Sequence, residues 1–100
     1  MVAIFKKKDP LSNWKGCEFE FYLGEFIWDP NKEVHIHVID EKGSMKIRLN
    51  PVERDESQDT DISPTNQRKI IKFVEEHLEY IKKRIREELE KRNIKINQPF

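Results

Sequence analysis

Two short alternating runs, facing each other across a turn, constrain this chain more than any other feature. Residues 34–52 read V-H-I-H-V-I-D-E-K-G-S-M-K-I-R-L-N-P-V. In the first run Val34, Ile36 and Val38 share one face, and His35, His37 and Ile39 share the other. In the second, Met45, Ile47 and Leu49 alternate with Lys46, Arg48 and Asn50. Period-2 alternation is the mark of a half-buried strand. The apolar faces of paired strands must coincide, because a one-residue slip would expose a whole face to water. A hairpin over about 33–40 and 44–50 therefore brings His35, His37, Lys46 and Arg48 together on one surface.

Upstream, Cys17, Phe19, Phe21 and Leu23 alternate with Glu18, Glu20 and Tyr22, which predicts a further strand over about 17–28. Its phase slips at Gly24, since Phe26 and Trp28 fall on even positions, and a glycine at a phase change suggests a bulge. Asp29-Pro30-Asn31-Lys32 reads as a turn. An apolar opening, residues 2–6, predicts a short edge strand that runs into the solvated triplet Lys6-Lys7-Lys8 and ends at Asp9-Pro10.

The C-terminal half has a different period. Ser63 is a good N-cap and Pro64 suits the first helical position, where its missing N–H is no loss. Ile71, Val74, Leu78, Ile81, Ile85 and Leu89 then recur in steps of three and four. The steps predict one amphipathic helix over 63–92, roughly 40 Å long at 1.5 Å per residue. Between hairpin and helix, residues 51–62 carry Glu53, Asp55, Glu56, Asp59 and Asp61 against Arg54 and show no periodicity. They read as an acidic surface loop, and residues 93–100 as a tail.

The fold expected is α+β: a small antiparallel sheet of three to four strands packed on one long C-terminal helix, in a single domain over 1–100. Ile85 and Leu89 would overhang so small a sheet and favour a homodimer. Charged residues make up 38% of the chain and apolar ones 36%, enough for a core rather than disorder. Lys/Glu enrichment leans towards a hyperthermophilic source. Without an apolar run approaching a membrane span, the expectation is a soluble cytoplasmic protein.

Lysine plus arginine balance aspartate plus glutamate, 19 against 19. Any nucleic-acid case must therefore rest on a local patch. His35, His37, Lys46 and Arg48 form the candidate: an anion or partner surface for phosphate, nucleic-acid backbone or an acidic segment. Tyr22 and Trp28 could add flat aromatic contact. His35 and His37 are also the candidate ligands of a divalent metal, against which Lys46 and Arg48 argue by repulsion; otherwise no cofactor is expected. The bland alternative is an exposed strand pair with no ligand. Enzyme chemistry has little support, because Cys17 should face inward and no nucleophile motif, phosphate loop or carboxylate pair stands out. A His-based or metal-dependent nuclease is the remaining enzymatic alternative.

His35-Ile36-His37-Val38, then Leu49-Asn50-Pro51-Val52, then Ser63 resembles a small prokaryotic family of unknown function. Its members carry P-P-H-[VF]-H-V, a strand ending near L-x-P-V and a serine-capped helix. Ile70, Phe73, Val74, Glu76, Glu79, Tyr80 and Ile81 fall at the family's helix spacing, and the likeness covers about residues 34–85. Glu33-Val34 replace the family's prolines, Ile85 its late helix tryptophan and His77 its mid-helix asparagine. The resemblance implies a compact α+β domain often encoded beside toxin–antitoxin genes. It further implies a non-enzymatic interaction module, antitoxin-like or regulatory, that binds a protein partner.

Overall fold

The computed structural model describes residues 2–5, 9, 14–24 and 33–95. Five antiparallel strands form one sheet in chain order: β1 (Val2–Ala3), β2 (Glu18–Phe21), β3 (His35–Ile39), β4 (Ser44–Leu49) and β5 (Val52–Arg54). Two helices follow, α1 (Pro64–Glu76) and α2 (Leu78–Lys91). The domain is α+β and antiparallel as expected, but the described residues form five strands and two C-terminal helices in place of three to four strands and one helix.

The hairpin pairs as its alternation requires, with Ile36 opposite Ile47, Val38 opposite Met45, His35 opposite Arg48 and His37 opposite Lys46. Asp40 shapes the turn: its Oδ1 accepts the amides of Lys42 at 2.7 Å and Gly43 at 3.0 Å, a side-chain turn motif typical of Asp. The strand over 17–28 is shorter than its alternation suggests. It ends at Phe21, and the chain has left the sheet by Leu23 and Gly24, so no bulge forms at Gly24. Phe26, Trp28 and the lysine triplet lie outside the described residues.

The acidic connector is not loop from its first residue. A two-residue turn, Asn50–Pro51 with a cis peptide bond, returns the chain at once to pair Leu49 with Val52 and Ile47 with Arg54. Three residues with one apolar side chain are too few to display a period, so β5 has no sequence signature. Beyond it Asp55 closes a turn by accepting both the amide and the hydroxyl of Ser57, at 3.0 and 2.6 Å. Ile62 is buried, and its carbonyl accepts Gln67 Nε2 at 2.7 Å. The loop is thus anchored at both ends.

Ser63 caps α1 as predicted, its Oγ accepting the Asn66 amide at 3.3 Å. The helix does not run unbroken to residue 92. His77, at φ −112°, ψ 18°, lies between α1 and α2. Hydrogen bonds still bridge the break, from His77 N to Phe73 O at 3.1 Å and from Ile81 N to His77 O at 3.0 Å. Neither glycine nor proline lies at the break, so nothing in the sequence marks it. The bend lays α2 over the β1–β2 end of the sheet, where Arg84 Nε donates to the Ile4 carbonyl at 2.9 Å. Ile85 and Leu89 are consequently only 1% and 5% exposed. The expected overhang of these two residues is absent.

The helix stops where the sequence suggested. Asn93 takes φ 53°, its amide bonding Glu90 O at 3.1 Å, while the Ile94 amide bonds Leu89 O at 2.9 Å. These are the two bonds of a Schellman stop, with Asn tolerating the left-handed position. Under the sheet, Phe73 is the centre of the core: its ring lies 4.3 Å from Trp14, 5.1 Å from Phe19 and 5.8 Å from Phe5. Trp14 is therefore core cover. Cys17 is buried beside this cluster, and burial, followed by the Asp40 carboxylate, pushes its thiol pKa up.

Candidate functional site

Register alone brings the four predicted residues onto the outer face, away from the helices. His37 and Lys46 form one cross-strand pair and His35 and Arg48 the next. The same alternation adds Glu20, which stands opposite His37 across β2.

Neither imidazole stands open. His35 is 1% exposed, and its Nδ1–H donates to the Glu33 carbonyl at 2.9 Å. A carbonyl can only accept, so this bond assigns the proton to Nδ1. The His37 ring stacks on Tyr22, with centroids 4.1 Å apart and planes 19° from parallel, and meets the His35 ring edge-on at 5.0 Å. Tyr22 is thus the aromatic neighbour the sequence suggested, but it covers a histidine rather than offering a free platform. Trp28 lies outside the described residues.

The two cations are already answered within the chain. Lys46 Nζ lies 3.3 Å from an Asp55 oxygen; Arg48 lies 2.6 Å from Glu53 and 3.8 Å from Glu33. Glu53 comes from β5 and Asp55 follows it, so the segment read as an acidic loop is what neutralises the basic pair. Two cations facing three carboxylates leave little positive potential for a phosphate. Glu20, 8% exposed, brings a further carboxyl group whose Oε2 has no hydrogen-bond partner among the described residues. The alternation of Glu18, Glu20 and Tyr22 was the signal that could have placed it here.

Among the described residues, no group of three or more His, Cys, Asp or Glu side chains could hold a metal ion. His77 cannot join the pair on the outer face. It sits at the kink between the helices, its ring 4.5 Å from Phe73.

Asp55 is the group whose acidity the arrangement changes most. The Ser57 hydroxyl and amide, and after them Lys46, hold its carboxyl well below the usual carboxylate range. A depressed folded-state pKa adds stability that is complete above the unfolded value of about 3.9 and is lost as pH falls through the folded one. Proton titration followed by NMR is expected to put the Asp55 midpoint well below the ordinary carboxylate range. Ser57→Ala should raise that midpoint towards the ordinary range; an unchanged midpoint would mean that Lys46 alone sets it.

A second feature emerges beside this face. The sheet ends at β5, and Asp55 N donates to Lys46 O at 2.8 Å. In an antiparallel ladder, bonded pairs recur every second residue. Arg48–Glu53 is therefore the next bonded pair, and Val52 and Arg54 point their backbone N–H and C=O groups away from β4. Between this edge and α1 runs a groove of about 500 Å³, lined among others by Val52, Arg54, Glu56, Gln67, Arg68 and Ile71.

These features define a class: a two-layer α+β domain with an internally neutralised outer face and an open sheet edge beside a helix. The profile of a domain of unknown function, DUF4160, matches residues 19–84, and the chain belongs to that family. The match takes in β2 as well as the hairpin and most of the helical region. No curated protein and no solved structure matches the chain. No helix among the described residues is long and apolar enough to cross a membrane.

Proposed function

We propose that the protein is a non-enzymatic interaction module, antitoxin-like or regulatory, that binds a protein partner. The observation that carries this reading is the β5 edge. Its backbone donors and acceptors face outward beside a groove, an arrangement suited to recognising another polypeptide main chain. The outer face, by contrast, supplies neither a free cation pair nor a metal-ligand set among the described residues. The family resemblance to proteins encoded beside toxin–antitoxin genes agrees with a partner-binding role and adds no mechanism.

The test is co-expression with the products of adjacent genes, followed by size-exclusion chromatography with light scattering. A stoichiometric complex that persists at micromolar concentration is expected. A chain that stays monomeric beside every neighbouring product would remove the reading.

The second reading keeps His35, His37, Lys46 and Arg48 as a nucleic-acid or phosphate surface, because the fold does bring the four together. It requires salt-sensitive binding that weakens with Arg48→Ala. With Arg48 held by Glu53 at 2.6 Å, RNA binding is expected at background level and unchanged by that substitution. A His-based or metal-dependent nuclease would in addition need turnover abolished by His37→Ala.

A further inference from the structure

We infer that the β5–α1 groove takes an extended partner segment as a sixth, antiparallel strand, and that the segment carries the order acidic, basic, apolar. The inference rests on the partner-binding reading and adds the chemistry of what is bound. Opposite Arg54 the strand would carry a carboxylate, opposite Glu53 a cation, and opposite Val52 an apolar side chain.

Each assignment follows from the side to which β5 sends its residues. Val52 shares the inner face with Leu49, and Arg54 shares it with Ile47. Partner side chains opposite these two point towards α1, where Ile71 offers a half-buried apolar wall and Arg68 a cation. Unlike Lys46 and Arg48, Arg68 has no carboxylate within 4 Å among the described residues; it holds only the Thr65 hydroxyl, at 3.4 Å. Arg54 is held in place by neutral acceptors, Gln58 O at 2.7 Å and Gln67 Oε1 at 3.4 Å, and no carboxylate among the described residues lies within 4 Å of it. The groove lining also holds two glutamates, Glu53 and Glu56, of which Glu53 is engaged by Arg48 at 2.6 Å.

The charge order of α1 points the same way. Arg68 and Lys69 are exposed in its N-terminal half, no acidic residue lies in its first turn, and Glu75 and Glu76 end it. This runs against the helix macrodipole, which favours acids at the start and bases at the end. The helix forgoes that stabilisation and places its positive end and Arg68 on the same side of the groove. Glu53 sits on the outer face opposite Arg48, so the partner residue beside it meets a carboxylate and is best basic.

A second copy of this chain fits the edge poorly. The antiparallel self-pairing that uses the backbone groups of both Val52 and Arg54 is centred on Glu53. It would set Glu53 against its own copy in the closer, unbonded type of pair, with Cα atoms about 4.5 Å apart. Like charges directly opposite are destabilising.

The test uses the full chain and two blocked synthetic peptides in a Thr/Val-rich host, one centred on Asp-Lys-Ile and the other on the charge-swapped Lys-Glu-Ile. Amide hydrogen exchange at Val52 and Arg54 is read by NMR. The first peptide at millimolar concentration is expected to slow both amides about tenfold or more, and the second to leave them unchanged. Arg68→Glu, an exposed substitution that should leave the fold intact, is expected to weaken binding about tenfold. Unprotected amides, or equal protection by both peptides, would overturn the inference. Protection that rises with protein concentration alone would assign the edge to a second copy and overturn it as well. Should a partner protein coelute as strongly with Arg54→Pro and Arg68→Glu as with the parent, strand addition fails while partner binding stands. Selective peptide protection with no coeluting neighbour gives the opposite split.

Discussion

Phe73→Ala is expected to remove about 3–5 kcal/mol of unfolding free energy, the usual range for deleting a buried aromatic ring. Phe73 is buried on α1 and its ring meets Trp14, Phe19, Phe5 and His77 within 6 Å. Those four come from the N-terminal segment, the sheet and the kink, so no single element can collapse into the space left behind. A domain of this size has only about 5–15 kcal/mol in total. The variant should therefore melt about 12–40 °C lower, at roughly 4–8 °C per kcal/mol. Urea unfolding read by tryptophan fluorescence checks it, since Trp14 stacks directly on Phe73. A loss below about 1 kcal/mol would mean that the cluster is not the centre of the core.

Arg84→Met is expected to destabilise by about 2–4 kcal/mol, although methionine preserves most of the apolar stem. The Arg84 guanidinium is buried and ties three things together. It bonds the Ile4 carbonyl at 2.9 Å across 80 positions of sequence, Glu87 at 3.1 Å and Glu88 at 3.4 Å. Removing one partner of a buried ion pair leaves the other charge poorly solvated, which is the larger part of such losses. Glu88 is 13% exposed and among the described residues retains only Arg92, at 3.6 Å, so much of the penalty should fall there. Glu87 is half-exposed and adds little. Glu88→Gln in the Arg84→Met background should then recover part of the loss, giving a measurable coupling in a double-mutant cycle. Additive effects would show that the two side chains act independently. Arg84→Lys is expected to rescue only partly, because an ammonium cannot reproduce the guanidinium fork.

Arg84 also shows why half of the architecture stayed hidden in the sequence. On a helical wheel it is one more basic residue beside an apolar stripe, and surface is the reasonable reading. Its burial depends on where the kink at His77 sends α2, and that direction is set by packing against residues 2–5, far away in the chain. Ile85 and Leu89 follow the same logic. Their spacing correctly placed them on the apolar face, but only the bend supplied a surface to cover them.

The candidate site divides in the same manner. Alternation was enough to put His35, His37, Lys46 and Arg48 on one face, because a strand's period of two leaves no other arrangement once the apolar face is buried. Whether that face is positive was decided by Glu33, Glu53 and Asp55. Of these, Glu53 and Asp55 arrive by way of a two-residue turn and a three-residue strand without periodic signature. An acidic run that looked like a solvated connector turned out to be the counter-charge of the site and the open edge of the sheet.

Local periodicity and capping were legible in the sequence: the antiparallel hairpin and its two faces, the Ser63 cap, the stop near Asn93 and the inward thiol of Cys17, while the exact register came from the fold. Only the tertiary structure decided the fifth strand, the kink at His77, the burial of Arg84 and Ile85, and the neutralisation of the basic pair. The reason is physical. Periodicity and capping are carried by neighbours in sequence, whereas a bend's direction and a charge's partner are set by groups that meet only when the chain is folded.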